Sequence, residues 1–369
     1  MKIAILGFGT VGRGVYEILR QRDTKNTAQL EAAHIFIRKG KEKTLPIMQD
    51  DYEAILQDKE CSCIVEVMGG IEPAHTYILQ ALNAGKHVVT ANKAVVAAHL
   101  KEFTEAAKAN HVQFRYEASC AGGIPWIHSL QQAKRIDPID EISGIFNGTG
   151  NYIIDQMVKH HLDFDVALKQ AQEAGYAEAD PSADIDGIDT ANKAVISASL
   201  AFDTYCCRDF PISGIRNLKK SDLDLFLSEG FSVRLMMKAV CSQDSYSCVV
   251  EPMLVADASL EAHIPDNFNL TTLHAKTLGE LKLYGQGAGS LPTGNAIVSD
   301  VIAVAKQECY DEIVMTEKKY DSSLLKGNYR LRVNGTYTKY ENVDPQWMHE
   351  QYRMALQKDE TAFLVREVQ

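Results

Sequence analysis

A glycine-rich turn stands directly behind an apolar run at the start of the chain. The run Lys2–Leu6 leads into the sequence GFGTVG, after which apolar residues recur at helical spacing. This order predicts a strand, a tight turn and a helix whose N-terminus faces the phosphates of a dinucleotide. Gly7 permits the turn, Gly9 lets the backbone approach the pyrophosphate, and Gly12 allows the helix to pack closely on the strand. We therefore assign cofactor binding to Gly7, Gly9, Thr10, Val11 and Gly12.

Strands and helices alternate through the rest of the first third of the chain. The predicted elements are strands His34–Ile37, Cys63–Val67, His87–Thr90 and Val112–Glu117, and helices Tyr52–Gln57, Pro73–Ala84 and Ala94–Ala109. Such alternation predicts an α/β fold with a Rossmann-type doubly wound parallel sheet. Because ligands bind beyond the carboxyl ends of these strands, we place Gly69, Thr90 and Lys93 at the cofactor.

The residues after the second strand indicate which dinucleotide is bound. An NAD site carries Asp or Glu there, to bind the ribose hydroxyls. This chain has Arg38 and Lys39 instead, with Lys41 and Lys43 close by. A basic pair suits a 2′-phosphate, so we expect NADP(H) to be preferred and NAD(H) to be possible. The alternative is an ordinary solvated charged loop.

The segment GYAEADPSADIDGIDTANK, which ends at Lys193, holds five acidic residues and a single lysine. Asp189 and Lys193 are four residues apart and share one face of a helix. Such a pair offers a carboxylate for an ammonium group beside a lysine that moves a proton. The simpler interpretation is a capped helix with an ion pair. Crowded carboxylates weigh against it, since they repel one another unless something cationic binds among them. Those preceding the pair include Glu178, Asp180 and Asp184.

The middle of the chain has mixed α+β character. We predict a strand at Ile142–Phe146, a turn at residues 147–150 and a helix at Asn151–Lys159. A second glycine-rich turn, Gly285–Gly289, precedes a helix at Asn295–Lys306. We expect this turn to close the cofactor pocket through Gly289, and the alternative is a helix cap without ligand contact.

We predict a dinucleotide-binding domain at residues 1–128 and an inserted α+β domain for catalysis and dimerisation at residues 129–280. Residues 281–308 are predicted to return to the first domain, and residues 309–369 to form a C-terminal extension. In the extension we predict strands at Asn328–Val333 and Ala362–Arg366, with a helix at Pro345–Ala355 between them.

Composition narrows the class of protein. The chain has 369 residues, of which 46% are hydrophobic and 24% charged, with a net charge of −11. These values are typical of a soluble globular protein, and the basic residues are too thinly spread to bind nucleic acid. A strand starting at Lys2 leaves no room for a signal peptide, and no apolar run reaches membrane-spanning length. We therefore expect a cytoplasmic protein with no membrane partner. Its eight cysteines lack metal-ligand spacing and are interpreted as buried reduced thiols.

Several segments together carry a resemblance to one family. In chain order they are GFGTVGRG, EVMGGIEPA, VVTANKA, EASCAGGIP, NGTGNYI, AEADPSADIDGIDTANK and GQGAGSLPTG. With them the chain resembles the homoserine dehydrogenases over about residues 1–308, and the acidic segment is specific to that family. The resemblance implies NAD(P)H-dependent interconversion of L-aspartate 4-semialdehyde and L-homoserine, in the pathway to threonine, methionine and isoleucine. It also implies a homodimer.

The resemblance assigns roles to individual residues. Lys193 is expected to donate the proton to the semialdehyde oxygen, and Lys93 to help hold substrate and nicotinamide. The carboxylates expected to bind the substrate's amino group or to position the lysines are Glu178, Asp184 and Asp189. The chemistry supports these roles, because negative charge develops on the carbonyl oxygen as hydride arrives at carbon, and an ammonium group stabilises and protonates it.

The family's monovalent cation, usually Na⁺, is expected at Glu117 and at the backbone carbonyls of Cys120, Gly122 and Ile124. Cys120 replaces a more usual apolar residue, which a carbonyl ligand tolerates. The longest family members also carry a regulatory ACT domain at the C-terminus. One predicted βαβ unit is too little for it, so the extension is interpreted as a shortened remnant or a packing appendage.

Two other functions remain open from the sequence. One is a different NADP-dependent reductase of an amino-acid semialdehyde, which would not need Glu178, Asp184, Asp189 and Lys193 together. The other is a non-catalytic Rossmann-type dinucleotide sensor. Such a sensor is expected to have lost Lys93 or Lys193, and this chain has both.

Overall fold

The structure, a computed structural model, describes residues 1–308 and 315–368, and its helices and strands are numbered here along the chain. The chain forms two compact units. Unit 1 contains residues 1–129 and 288–308, and unit 2 contains residues 130–287 and 315–368. The chain thus returns to unit 1 after residue 287, later than the predicted 280, and the described part of the C-terminal extension belongs to unit 2. Residues 309–314 and 369 of that extension lie outside the described residues.

Unit 1 is built on a parallel sheet. Its strands are β1 (Lys2–Leu6), β2 (Glu31–Phe36), β3 (Met48–Gln49), β4 (Cys61–Glu66), β5 (His87–Thr90) and β6 (Phe114–Arg115). Its helices are α1 (Thr10–Gln21), α2 (Tyr52–Gln57), α3 (Ala74–Asn83), α4 (Lys93–Ala109) and α11 (Ser290–Ala305). The strand order β3-β2-β1-β4-β5-β6, in which every pair is parallel, confirms the predicted Rossmann-type sheet.

Helices α1 and α11 cross closely at two glycines. A Cβ on Gly14 would collide with the backbone of Ser290, and one on Gly294 would lie 3.0 Å from the carbonyl carbon of Gly14. The apolar side chains of both helices, including Val15 and Val301, join the core that covers β1. This packing returns the segment after residue 287 to the side of the glycine turn.

Unit 2 is built on a mixed sheet. Its strands are β7 (Ile139–Ile145), β8 (Phe231–Cys241), β9 (Ser245–Ala256), β10 (Phe268–Ala275), β11 (Gly279–Gln286), β12 (Lys319–Tyr320), β13 (Gly327–Val333), β14 (Thr336–Val343) and β15 (Phe363–Glu367). They follow the order β11-β10-β7-β8-β9-β15-β13-β14, with β12 beside β9. The remaining helices are α5 (Trp126–Ala133), α6 (Gly148–His160), α7 (Phe164–Glu173), α8 (Ser182–Ile185), α9 (Ile188–Ala201), α10 (Lys220–Ser228) and α12 (Pro345–Leu356).

Four local predictions differ from the structure. The helix predicted at Asn295–Lys306 begins earlier, because α11 starts at Ser290 with Gly289 as its N-cap. The predicted turn at 147–150 is wrong, because α6 begins at Gly148 with Asn147 as its N-cap. The predicted strand Val112–Glu117 is reduced to β6, and Glu117 opens a 3₁₀ turn. The extension contains a further strand, β14, joined to β13 by Asn334 and Gly335, both at positive φ.

The extension is fastened to the sheet of unit 2 by a buried charged network. Glu251 on β9 is completely buried and accepts hydrogen bonds from His349 Nε2 of α12 at 2.8 Å and Arg366 Nη1 of β15 at 3.1 Å. The hydroxyl of Tyr329 on β13 donates to the same carboxylate at 3.1 Å. Strand β15 itself pairs with β9 in parallel. The last described residues are therefore part of the main sheet.

The sequence led us to expect no membrane-spanning helix and only buried cysteines. In the part of the chain that the structure describes, no helix is both long and apolar enough to pass through a membrane. Of the described cysteines, Cys207 is exposed and Cys241 half-buried, so the expectation of buried thiols is wrong for these two.

Candidate active site

The glycine turn of unit 1 leaves room for a phosphate. Gly7 has φ +104°, and a Cβ there would lie 2.8 Å from the carbonyl oxygen of Val67. Gly9, the N-cap of α1, has no heavy atom within 4 Å of the position of a Cβ. A Cβ on Gly12 would collide with the carbonyl oxygen of Gly7. The N-terminus of α1, with Thr10 and Val11 in its first turn, therefore opens onto free space where backbone amides bind an anion.

A cavity of about 500 Å³ continues from this turn. It is lined by Gly7, Phe8, Gly9, Arg13, Phe36, Ile37, Arg38, Lys41, Glu42, Thr44, Met48, Val67 and Met68. Its volume and mostly apolar wall suit an organic ligand the size of a nucleotide. Arg38 and Lys41 supply positive charge, whereas Lys39 is not among the lining residues. The structure thus brings one member of the predicted basic pair to the cavity and adds Lys41.

A buried carboxylate, which the sequence analysis missed, holds the turn after β4. Glu66 accepts from the backbone N–H of Met68 at 2.7 Å and from Thr90 Oγ1 at 2.6 Å. Burial raises the pKa of Glu66, although these hydrogen bonds oppose the shift. Thr90 is fully buried, and its side chain holds the turn through Glu66. Gly69 follows in this turn at φ +76°.

Lys93 lies where β5 passes into α4. It is the first residue of α4 and is exposed. Asn92 before it caps the helix by accepting from the backbone N–H of Val95 at 3.3 Å. The same side chain donates to the carbonyl oxygen of Gly70 at 2.6 Å. Asn92 thus connects the turns after β4 and β5, which both lie at the carboxyl edge of the sheet.

Glu117 is buried at the N-terminus of α5. Its carboxylate oxygens accept from the backbone N–H groups of Ile127 and His128, both at 2.8 Å. Burial, together with the charge of Asp300, raises the pKa of Glu117 to about 8. The residues between Glu117 and α5 turn sharply, with φ +54° at Ala121 and +59° at Gly122. Cys120 and Ile124 in this loop are buried.

The central pair of the acidic segment is buried in unit 2. Lys193 Nζ donates to Asp189 Oδ2 at 2.8 Å and to the carbonyl oxygen of Phe146 at 2.6 Å. Lys193 is 7% exposed and Asp189 4%. An ion pair on the surface of a helix contributes little to the free energy of unfolding, and its charged groups are normally exposed to water. Burying both charges costs desolvation free energy, which indicates a pair retained for another purpose.

Asn147 holds two carboxylates of this segment together. Its Nδ2 donates to Asp184 Oδ1 at 2.6 Å and to Asp189 Oδ2 at 2.8 Å. Its Oδ1 accepts from the backbone N–H of Gly150 at 2.6 Å and so caps α6. The sequence analysis missed this residue, although asparagine before a helix is a strong N-cap signal.

The carbonyl of Phe146 is itself held from another strand. Asn269 Nδ2 on β10 donates to it at 3.1 Å. Gly287 passes so close that any Cβ there would collide with the Asn269 side chain. Asn269 therefore holds the acceptor that directs Lys193, and the close approach of Gly287 limits the space around the Asn269 side chain. Gly289 follows two residues later as the N-cap of α11, with φ +130°.

The other carboxylates of the segment have separate environments. Asp186 forms a bidentate pair with Arg216, at 2.8 and 2.6 Å. Asp180 accepts from the backbone N–H of Ser182 at 3.1 Å. Glu178 is exposed, and its backbone carbonyl accepts from Gln172 Nε2 at 3.1 Å. The geometry thus brings Asp184, Asp189 and Lys193 together and leaves Glu178 on the exposed loop.

Two family models match the chain. The model of the homoserine dehydrogenase NAD binding domain matches residues 7–117. The model of homoserine dehydrogenase matches residues 125–302. The first match contains the glycine turn and Lys93, and the second contains the acidic segment with Lys193.

Individual relatives match along most of the chain. The homoserine dehydrogenase of Synechocystis is 40% identical over 316 residues, which are 82% of this chain and 73% of the relative. That of Lactococcus lactis is 33% identical over 356 residues, 93% of this chain and 83% of the relative.

Solved structures of homoserine dehydrogenases share the fold. The enzyme from Thiobacillus denitrificans has a TM-score of 0.88 at 27% identity, covering 100% of this chain and 98% of that one. The enzyme from Staphylococcus aureus has a TM-score of 0.74 at 29% identity, with 99% and 92% coverage. None of these matches supports the two other functions left open by the sequence, and the chain therefore belongs to the homoserine dehydrogenase family of NAD(P)-dependent oxidoreductases.

Proposed function

We propose that this member interconverts L-aspartate 4-semialdehyde and L-homoserine with NADP(H) preferred over NAD(H), and that Lys193 moves the proton. The observation that carries the proposal is the buried Lys193 ammonium, directed by Asp189 and by the Phe146 carbonyl. An initial-rate assay with aspartate semialdehyde and either NADPH or NADH tests both parts. Equal efficiency with the two cofactors would contradict the preference, and absence of turnover with either would contradict the reaction.

The cofactor fits the glycine turn and the cavity behind it. Open space at Gly9 suits the pyrophosphate, and Arg38 and Lys41 suit a 2′-phosphate. A hyperthermophilic archaeal homoserine dehydrogenase of the same fold, 24% identical, has been solved in complex with NADPH. When bound, the reduced nicotinamide supplies the hydride. Glu66 and Asn92 keep the turns beside it in place, by hydrogen bonds to Met68 and Gly70.

Lys193 completes the reduction at the oxygen atom. As the carbonyl carbon is reduced, charge develops on oxygen, and the Lys193 ammonium stabilises that charge and donates a proton to it. Asp189 Oδ2 accepts a hydrogen bond from the Lys193 ammonium at 2.8 Å and so holds the nitrogen in place. In the oxidising direction, neutral Lys193 accepts the hydroxyl proton. The two acceptors, Asp189 Oδ2 and the Phe146 carbonyl oxygen, limit the rotation of the ammonium group.

The acidic segment provides the site for the substrate's ammonium group. Asp184 is half-buried and is fixed by Asn147, which also holds Asp189. A half-buried carboxylate beside a buried one gives a binding site for a small cation. We assign Glu178, on the exposed loop, to the same cation as a second carboxylate. Lys93 is assigned to the substrate's carboxylate and to the nicotinamide.

The Glu117 loop would hold a monovalent cation. Its donor set is one carboxylate with the backbone carbonyls of Cys120, Gly122 and Ile124, and hard oxygen ligands of this kind suit Na⁺. The buried Glu117 carboxylate also lies near the charge of Asp300, so a cation there balances negative charge. Unfolding measured in NaCl against an equal concentration of tetramethylammonium chloride tests this assignment. Equal stability in the two salts would contradict it.

We also propose a homodimer located in the cytoplasm, following the family resemblance. Light scattering on the purified protein and fractionation of expressing cells test the two statements. A monomer at micromolar concentration would contradict the first.

A further inference from the structure

Three side chains of unit 1, none of them used above, offer metal-ligand atoms to one another. His75 lies in the first turn of α3, while His99 and Glu102 lie three residues apart on α4. The atoms that they offer all lie within 4.8 Å of one another. We call these residues the two-histidine cluster. Among the described residues, it is the group of histidine, cysteine and carboxylate side chains close enough to hold a metal ion.

Both imidazoles are directed at the same point. His75 Nε2 lies 2.8 Å and His99 Nδ1 3.2 Å from a single oxygen, Oε2 of Glu102. The rings are nearly parallel, with centroids 3.9 Å apart and an angle of 24° between their planes. Ligand atoms in a tetrahedral zinc site are about 3.3 Å apart, so these contacts need only slight widening.

His75 also has the support that a ligand histidine normally has. Its second nitrogen, Nδ1, lies 3.0 Å from Glu72 Oε1, and the other oxygen of Glu72 accepts from Thr76 Oγ1 at 2.8 Å. Metal-bound imidazoles almost always donate their remaining N–H to a carboxylate or carbonyl, which fixes the ring and the tautomer. With Nδ1–H directed to Glu72, the lone pair of His75 is on Nε2, the atom that faces the cluster.

A surface ion-pair network explains less of this arrangement. One protonated histidine between Glu72 and Glu102 would satisfy such a network by itself. The second imidazole, His99, stacks on His75 at 3.9 Å and directs its nitrogen to the same oxygen of Glu102. If His99 is protonated it adds a like charge beside His75, and if it is neutral it competes with His75 as a hydrogen-bond donor to that oxygen. Two neutral imidazoles and a carboxylate around one cation remove the conflict, because all three groups act as donors of electron pairs.

We propose that the two-histidine cluster binds a divalent late transition metal ion, such as Zn²⁺, Ni²⁺ or Co²⁺, with Glu72 orienting His75 and water completing the coordination. Two imidazole nitrogens select these ions over Mg²⁺ and Ca²⁺, which prefer oxygen ligands. The ion would connect α3 to α4 and so stabilise the folded state in proportion to its concentration. This site is separate from the Glu117 loop and does not depend on the proposed catalytic roles.

Cobalt is the probe, because its visible spectrum reports coordination. Titration of the metal-free full-length protein with Co²⁺ is expected to give one bound ion per chain, and Zn²⁺ is expected to displace it while Mg²⁺ does not. His99→Gln and Glu102→Gln should abolish the signal at the same concentrations. Glu72→Gln should weaken binding by about 10–100-fold, since it removes only the orienting hydrogen bond.

His274→Asn is the matched control. Unlike the half-buried His75 and His99, His274 is exposed. It pairs with a carboxylate, Asp140, at 2.6 Å, lies in unit 2 and is not part of the two-histidine cluster. This variant should bind Co²⁺ as the wild type does. Circular dichroism and the thermal unfolding midpoint show whether each variant is folded, and His99→Gln, on a partly exposed helix surface, is the least disruptive change.

Three results would overturn the proposal. They are an absence of Co²⁺ binding in the wild type, equal binding by folded His99→Gln, and loss of binding in His274→Asn. A rise in the unfolding midpoint with Zn²⁺ that is absent in His99→Gln and present in His274→Asn would support it without any measurement of activity.

Discussion

The candidate cofactor site of unit 1 and the candidate proton-transfer site of unit 2 use different chemical groups. In unit 1 the turn around Gly9 offers backbone amides and space, and its buried carboxylate, Glu66, is held by uncharged donors. In unit 2 the site consists of buried, mutually bonded charged side chains around Lys193 and Asp189. A cofactor needs a surface of fixed shape, whereas proton transfer needs one ammonium group held in one direction. The first requirement is met by local sequence, and the second by contacts between distant segments.

The largest expected effect is that of Lys193→Ala. Loss of the proton source should lower the turnover number by about two to four orders of magnitude, while NADPH binding stays near wild type. Lys159→Ala is the control, because Lys159 pairs with Asp155 at the same helical spacing and at 2.8 Å but is exposed. Steady-state kinetics and NADPH fluorescence titration measure the two quantities. Wild-type turnover in a folded Lys193→Ala variant would leave the buried pair with a structural role alone.

Replacement of Arg38 tests the part of the site in unit 1. A charge-assisted phosphate contact contributes about 1.5–3 kcal/mol, so Arg38→Ala should raise KM for NADPH by about tenfold or more and KM for NADH much less. Lys41→Ala should act in the same direction. Lys39→Ala is the control, since Lys39 does not line the cavity. A larger effect from Lys39 than from Lys41 would restore the basic pair predicted from the sequence.

Asn147 should contribute less than Lys193 but to more than one property. Asn147→Ala removes a helix cap, at a cost of about 1 kcal/mol in unfolding free energy. It also releases Asp184 and Asp189, so KM for aspartate semialdehyde should rise severalfold. Asp51→Ala is the control, because Asp51 caps α2 in unit 1 by accepting from Ala54 N–H at 3.2 Å. If both variants lose stability but only Asn147→Ala changes KM, the substrate role of Asn147 is supported; an unchanged KM argues against it.

The smallest expected effect compares two fully buried glutamates, one in each unit. Burial raises the pKa of Glu66, whose partners are uncharged. For Glu251 burial acts in the same direction, but the hydrogen bond from His349 and the charge of Arg366 outweigh it, and its pKa is lowered. Ionised Glu66 therefore costs stability as the pH rises above the usual 4.5. Ionised Glu251 instead contributes stability above that pH, and this is lost as the pH falls below it.

Urea unfolding between pH 3 and 8 of the wild type, Glu66→Gln and Glu251→Gln measures these slopes. Relative to the wild type, Glu66→Gln should gain stability as the pH rises above 4.5, and Glu251→Gln should gain stability as the pH falls below 4.5. Each difference is at most about 1.4 kcal/mol per pH unit. If the unfolding free energies of the two variants changed with pH in the same direction relative to the wild type, the hydrogen-bond partners of Glu66 and Glu251 would not determine how each carboxylate affects stability.

Much of unit 1 is predictable because its signals are short-range. The glycine spacing at Gly7–Gly12 and the apolar runs of β1 and β4 are visible in a few consecutive residues. The spacing of Asp189 and Lys193 also places both on one face of a helix. Periodicity does not reveal burial, however, and burial is what distinguishes this pair from an ordinary surface ion pair.

The remaining contacts in unit 2 were missed for two different reasons. The bond from Asn269 to the Phe146 carbonyl spans 123 residues and ends on a backbone atom, which has no side-chain signature. The hairpin at Asn334-Gly335 and the cap at Asn147 had local signals in the sequence. Asparagine followed by glycine occurs both in turns and at the starts of helices. We predicted a turn at this position because of the glycines that follow Asn147.

The parallel pairing of β15 with β9 has a consequence for how such a chain can change over evolutionary time. Removing the extension would leave β9 with an unpaired edge and Glu251 buried without the guanidinium of Arg366. Shortening the chain before β15 would thus expose a strand edge that can pair with another molecule. We expect descendants of this chain to lose the extension only after Glu251 and the strand beside it have changed, so the tail is inherited together with the sheet and not exchanged as a module.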